Sequence, residues 1–304
     1  MSSRALPASV RIVEVGPRDG LQNEAAPVTT ATKIAFVNAL SAAGHSVIEV
    51  SAFVNPKRVP QMADAAAVFA GIERRDDIRY TALVPNLAGL ERAQQAGVSA
   101  IAIFAAASET FSQRNINQSI AASLETYSAV CREAEKAALP VRAYLSTVFG
   151  CPFEGEVPIA TVVDVATRLI EMGAYEVALS DTIGIGHPGQ VAPIVEAVAK
   201  TISLGRMALH FHDTRGMALA NVYAGLESGI TTFDASAGGL GGCPFAPGAT
   251  GNLATEDLLY MLNGLGIQSG VDIDRAISAS RLIEPHVNHP LPSRVYRAYG
   301  SQTR

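Results

Sequence analysis

Short β-rich runs and longer helical patterns alternate eight times along this chain, and that alternation narrows the possible folds more than any other feature. Candidate strands fall at 10–15, 47–50, 80–84, 100–105, 141–148, 176–180, 207–212 and 231–235. Between them, 30–43, 61–72, 87–96, 117–138, 158–172, 188–201 and 217–228 have helical spacing, and 255–265 follows the eighth strand. Several helices run into a glycine, at Gly44, Gly97, Gly173 and Gly229, where a left-handed residue commonly closes the last turn. Eight β/α units joined by right-handed crossovers predict a closed parallel (β/α)8 TIM barrel, class α/β, with its helices outside. Segment 271–283 reads as an extra helix that covers the barrel or meets another subunit. No linker or charge block divides the chain. A single catalytic domain over 1–304 is expected, with the barrel at about 9–266 and a C-terminal helical extension at about 267–304.

The 304 residues are 48% hydrophobic, enough for a large core, and the apolar mass is Ala, Val, Ile and Leu rather than aromatic. Such small and branched side chains suit helix-on-sheet packing. A formal net charge of −5 gives no electrostatic reason to expect nucleic acid. No apolar run is long enough to cross a bilayer, and the first residues lack a signal-type hydrophobic region. Three cysteines (Cys131, Cys151, Cys243) without CxxC spacing argue against a disulfide framework or a zinc knuckle. The expectation is a cytoplasmic protein with no membrane partner.

Barrels of this type carry their chemistry at the C-terminal ends of the strands. The first strand leads into Gly16-Pro-Arg-Asp-Gly-Leu-Gln-Asn-Glu24, Glu49 lies in the second, Asp181 follows the sixth, and His210-Phe-His212 closes the seventh. After the eighth comes a glycine-dense stretch from Gly238 to Asn252 that contains Cys243. Taken alone, each of these is more often a cap or a satisfied loop residue; Asp213 reads equally well as a helix cap. The spacing of the histidines changes the balance, because residues i and i+2 on a strand share one face. Asp19, His210, His212 and Asn252 offer two imidazoles, a carboxylate and an amide, a donor set suited to Mg²⁺ or Mn²⁺. The two-histidine, one-carboxylate iron site of oxygenases is an alternative, but such sites sit in jelly rolls rather than β/α repeats.

Gly16–Glu24, Val59-Pro-Gln-Met-Ala-Asp64, Asn115-Ile-Asn117, Phe149-Gly-Cys-Pro152, Asp181-Thr-Ile-Gly184, His210-Phe-His-Asp-Thr214 and Gly239-Leu-Gly-Gly-Cys-Pro244 with Gly251-Asn252 closely resemble the 3-hydroxy-3-methylglutaryl-CoA lyase family. The cysteine loop is the discriminating motif; Arg-Asp-Gly and His-x-His also recur in isopropylmalate and homocitrate synthases. The resemblance implies metal-dependent retro-Claisen cleavage of an acyl-CoA substrate, 3-hydroxy-3-methylglutaryl-CoA, to acetyl-CoA and acetoacetate, in leucine degradation. It implies Asp19, His210, His212 and Asn252 as metal ligands, Arg18 for the enolate oxygen, Cys243 as catalytic thiol, and Glu49 and Asp181 as active-site acids. His210 serves as ligand, in proton transfer, or both. Glu14, Glu256 and Asp257 are weaker candidates for the surrounding layer. The phosphates of coenzyme A require positive charge, for which Lys57, Arg58 and the region of Arg114 and Asn115 are candidates.

Departures from the family pattern are Ala52 for a rim serine, Ser180 before Asp181, Arg215, Met217 and His187. They leave ligands and thiol intact and keep a related 3-hydroxyacyl-CoA, such as citramalyl-CoA or a longer branched glutaryl-CoA, open as substrate. A condensing synthase and a non-catalytic barrel are the other readings. A homodimer is expected by analogy.

Overall fold

The structure, a computed structural model, describes residues 5–242 and 251–300. Its strands are β1 (Arg11–Glu14), β2 (Val47–Ala52), β3 (Arg79–Leu83), β4 (Ala100–Ala106), β5 (Val141–Ser146), β6 (Ala174–Asp181), β7 (Met207–Phe211) and β8 (Thr232–Ala235). Each pairs in parallel with the next and β8 returns to β1, so the sheet closes into a barrel in sequence order. Around it lie α1 (Thr30–Ala42), α2 (Ala65–Gly71), α3 (Leu87–Gln95), α4 (Glu109–Ile116), α5 (Ile120–Lys136), α6 (Ile159–Glu171), α7 (Pro188–Val198), α8 (Ala218–Glu227) and α9 (Thr255–Gly264). Two further helices, α10 (Ile273–Ile283) and α11 (Arg294–Gly300), make up the extension.

Local sequence accounts for most of these boundaries. α6 buries Val162, Val165, Ala166 and Leu169, a stripe spaced i, i+3, i+4, i+7 that faces the sheet. Truncating Leu169 to alanine would cost about 2–5 kcal/mol. The side chains of Thr29, Asn86, Ser119 and Asp272 accept backbone N–H groups at the starts of α1, α3, α5 and α10. Gly44, Gly97, Gly173 and Gly229 adopt the positive φ that the sequence reading assigned to helix ends. α10 packs on α1 and on the turn after β8, which resolves the extra helix as a cover for the barrel side.

Two expectations need correction. The helix expected over 117–138 starts at Ile120, capped by Ser119, and a separate helix that was not expected, α4, precedes it and ends at Asn117 in a left-handed conformation (φ 56°). The helix expected from residue 61 starts at Ala65, behind a short 3₁₀ turn over Pro60–Met62. The barrel interior also departs from the usual layers of aliphatics. Arg11, Arg142, Glu176 and Asp234 meet one another across β1, β5, β6 and β8, and His210 of β7 joins them.

Candidate active site

The chain leaves β1 through a wide π-type turn over Gly16–Gly20 in which Arg18, Asp19 and Gly20 all donate their N–H groups to the carbonyl of Val15, at 3.1, 2.7 and 3.1 Å. Such turns re-aim side chains and recur at functional sites. A Cβ on Gly16 would lie 2.6 Å from Glu14 Oε1, so the close turn requires glycine. Glu14 faces outward into the strand–helix layer, where it accepts from Gly16 N (2.8 Å), Ala237 N (2.9 Å) and Thr255 Oγ1 (2.7 Å). It thereby ties the β1 loop to the turn after β8, and its burial pushes its pKa up to about 8. Glu256 similarly accepts from Gly238 N and Ser280.

The other half of the site comes from β7. Residues 251–253 run back along its end, with Leu253 N donating to Phe211 O at 3.0 Å and Asp213 N to Gly251 O at 3.1 Å. This places Asn252 beside His212, where its Nδ2 reaches Asp19 Oδ2 at 2.9 Å. The Nε2 atoms of His210 and His212 each lie 3.9 Å from the same Asp19 oxygen. One ligand atom each from Asp19, His210 and His212 falls within a sphere where all separations are below 4.8 Å. Asn252 Oδ1 is a buried acceptor without a partner among the described residues. A divalent cation fits this set: neutral imidazoles, an ionised carboxylate and an open amide oxygen. Burial opposes the charge on Asp19, yet Arg18 and the two histidines hold its pKa at about 2, and burial keeps His212 neutral down to about 4.

Arg18 is fixed on two sides, by Nε to Glu49 Oε2 at 2.6 Å and Nη1 to Asp19 Oδ1 at 2.7 Å. Its guanidinium carbon lies 5.5 Å from the Tyr144 ring centroid, and the Tyr144 hydroxyl donates to Glu49 at 3.2 Å. Burial opposes the arginine charge, but the two carboxylates outweigh it and raise its pKa further. Glu49 is raised by burial, and its Oε1 has no partner among the described residues.

These groups open onto a cavity of about 550 Å³. Arg58 and Asn115 line it, whereas Lys57 is exposed in the adjoining turn and contributes no lining. Asp181 does not line the cavity, and its two oxygens accept Ile185 N at 3.0 Å and Gly186 N at 2.9 Å, which anchors the β6 loop. Asp257 caps α11 through Ser293, Arg294 and Val295. Cys243 lies outside the described residues. Tyr144, Arg142 and Asp234 were not foreseen. Arg142 and Tyr144 share one face of β5 by the same i, i+2 spacing as the histidines, a signal that could have exposed them.

Residues 9–283 match the HMGL-like family. A 3-hydroxy-3-isohexenylglutaryl-CoA/hydroxy-methylglutaryl-CoA lyase of Pseudomonas aeruginosa is 55% identical over 278 residues, 91% of this chain and 93% of that protein. The solved hydroxymethylglutaryl-CoA lyase from Pseudomonas aeruginosa superposes with a TM-score of 0.96 at 53% identity, covering 98% of this chain and 99% of that one. An HMG-CoA lyase from Acinetobacter baumannii, solved with coenzyme A and 3-methylmalate, gives a TM-score of 0.92 at 40% identity, covering 96% and 95%. The chain belongs to the HMGL-like family and, within it, to the hydroxymethylglutaryl-CoA lyases.

Proposed function

We propose that this protein cleaves 3-hydroxy-3-methylglutaryl-CoA to acetyl-CoA and acetoacetate, using Mg²⁺ or Mn²⁺ held by Asp19, His210, His212 and Asn252. The observation that carries this reading is the convergence of Asp19, His210 and His212 within 4.8 Å beside the doubly fixed Arg18. Breaking the C2–C3 bond requires loss of the C3 hydroxyl proton while a thioester enolate forms at C2. A bound divalent cation supplies a Lewis acid that lowers the pKa of that hydroxyl. Arg18 places a permanent, buried positive charge where the enolate oxygen develops; a single preorganised donor of this kind contributes about 3–4 kcal/mol. Glu49 holds the guanidinium in position, and its open Oε1 is an acceptor within the same cluster. Cys243 protonates the acetyl-CoA carbanion. Asp181 supports the rim by fixing the β6 loop.

Arg58 and Asn115 at the cavity face coenzyme A in this reading, with Lys57 nearby in sequence. The whole chain acts as one catalytic domain in leucine degradation in the cytoplasm. Exposed Met217, Tyr223, Tyr260 and Leu265 on and beside α8 and α9 support a homodimer. The apolar lining from Leu83, Phe104, Phe111, Ile116 and Tyr127 favours a second substrate with a longer C3 branch, the class named for the Pseudomonas aeruginosa relative.

Purified protein should be assayed on 3-hydroxy-3-methylglutaryl-CoA, its 3-isohexenyl homologue and citramalyl-CoA, with Mg²⁺, Mn²⁺ or EDTA. Cleavage of the first thioester is expected to require the cation, and Cys243→Ala to lower kcat at least about 100-fold. EDTA-resistant turnover, or turnover of citramalyl-CoA alone, would overturn the reading.

A further inference from the structure

The sequence leaves His210 two roles, metal ligand and proton carrier, and the residues behind it decide between them. His210 Nδ1 lies 3.2 Å from Asp234 Oδ2, while Nε2 faces Asp19. Asp234 is 1% exposed and sits opposite His210 in the β7–β8 register. Arg142 grips it with both terminal nitrogens, Nη2 to Oδ1 at 2.7 Å and Nη1 to Oδ2 at 3.1 Å. Arg142 is itself buried and gives its Nε to Glu176 Oε1 at 2.7 Å; the other Glu176 oxygen pairs with Arg11. The result is an alternating chain of charges along the barrel interior, Arg11–Glu176–Arg142–Asp234, that ends on the His210 ring. Tyr144 stands edge-on to that ring, with an interplanar angle of 81°.

We propose that Asp234 commits His210 to metal ligation and removes it from proton transfer, and that Arg142, backed by Glu176 and Arg11, keeps Asp234 in the charged state this requires. An arginine does not deprotonate at any working pH, so the bidentate contact holds Asp234 ionised. An ionised carboxylate can only accept, so the ring hydrogen of a neutral His210 lies on Nδ1 and the Nε2 lone pair points at Asp19. Once Nε2 binds a cation, neither ring nitrogen is left to carry a substrate proton. His212 differs: its Nδ1 is buried with no partner among the described residues, so nothing comparable fixes its tautomer. Asp234 is therefore a positioning residue that acts through His210.

This inference rests on the metal-site reading, and the test separates the two. Mn²⁺ binding to wild-type protein is measured first by electron paramagnetic resonance; no binding would overturn the proposed function itself. The imidazole tautomers are then read by two-bond ¹H–¹⁵N correlation, with His210→Asn to assign the signal. An Nδ1–H tautomer at His210 in the metal-free wild type is expected, and an Nε2–H tautomer overturns the inference without any variant. Asp234→Asn presents an amide N–H to Nδ1 and should invert that tautomer. Its dissociation constant for Mn²⁺ should rise about 10–100-fold, and kcat should return to near the wild-type value at saturating Mn²⁺. An unchanged dissociation constant, or a kcat that stays depressed at saturating Mn²⁺, would refute the commitment of His210 while leaving the lyase reading in place.

Discussion

The wall of the cavity built from β1, β7 and the segment after β8 carries Arg18, Asp19, His210 and His212, each in contact with another charged group. The facing wall, from β3, β4, α4 and α5, presents Leu83, Phe104, Phe111, Ile116 and Tyr127, with Asn86, Asn115, Gln118 and Thr126 among its neutral polar groups. On the first wall Arg18 and Asp19 are each held from two directions, so their positions are over-determined and charge is preorganised. On the second, shape and apolar area do the selecting. Under the proposed function, this division would separate the groups that act on developing charge from those that distinguish one acyl or pantetheine group from another.

This division predicts different kinetic signatures for the two walls. The largest effect is expected for Asp19→Ala, which removes a proposed ligand and one of the two carboxylates on Arg18: kcat/KM should fall about 1000-fold, with loss of Mn²⁺ binding. On the apolar wall, Phe104→Ala should raise KM roughly tenfold and leave kcat within about a factor of two, because it removes contacts made equally in ground and transition states. Steady-state kinetics on both variants would break the comparison if Phe104→Ala lowered kcat as severely as Asp19→Ala. The smallest effect is on stability. Burial raises the pKa of Glu14 from 4.5 to about 8 and that of Glu256 from 4.5 to about 7. Both acids are easier to protonate folded than unfolded. Their contribution is therefore complete below about pH 4.5 and is lost as pH rises through 7 and 8. Tm should fall by about 5–10 °C between pH 5 and pH 9, and Glu14→Gln should flatten that slope in a thermal-shift series.

The barrel, its strand order and the grouping of Asp19, His210 and His212 were legible in the sequence because each rests on local pattern. Alternating β and α periods set the strand order, and i, i+2 spacing put two histidines on one face. What was missed depends on distance along the chain or on single conformations. Asp234 sits in Thr232-Phe-Asp-Ala235, an unremarkable short strand, and gains its role from partners 24 and 92 residues away. Arg142 and Glu176 were within reach, since a charged residue in a strand meant to be buried on both faces demands a partner. The contacts of Asp181, expected as an active-site acid, depend on the loop after β6, whose Ile185 and Gly186 turn their N–H groups back onto it. Helix α4, which was not expected, ends at a single left-handed residue, Asn117, and so stays separate from α5.

Barrels of this class commonly divide their labour, with reactivity at one mouth and robustness at the other, so that each can vary without disturbing its opposite. The internal chain of alternating charges removes that independence here. Arg11 lies at the bottom mouth beside Ser46, Asp76 and Arg79, yet it is the first link in a sequence of pairings that ends on a candidate ligand at the top. Variation at the quiet end of this barrel is therefore constrained by the reactive end, and Arg11 is less free to drift than its distance from the cavity implies.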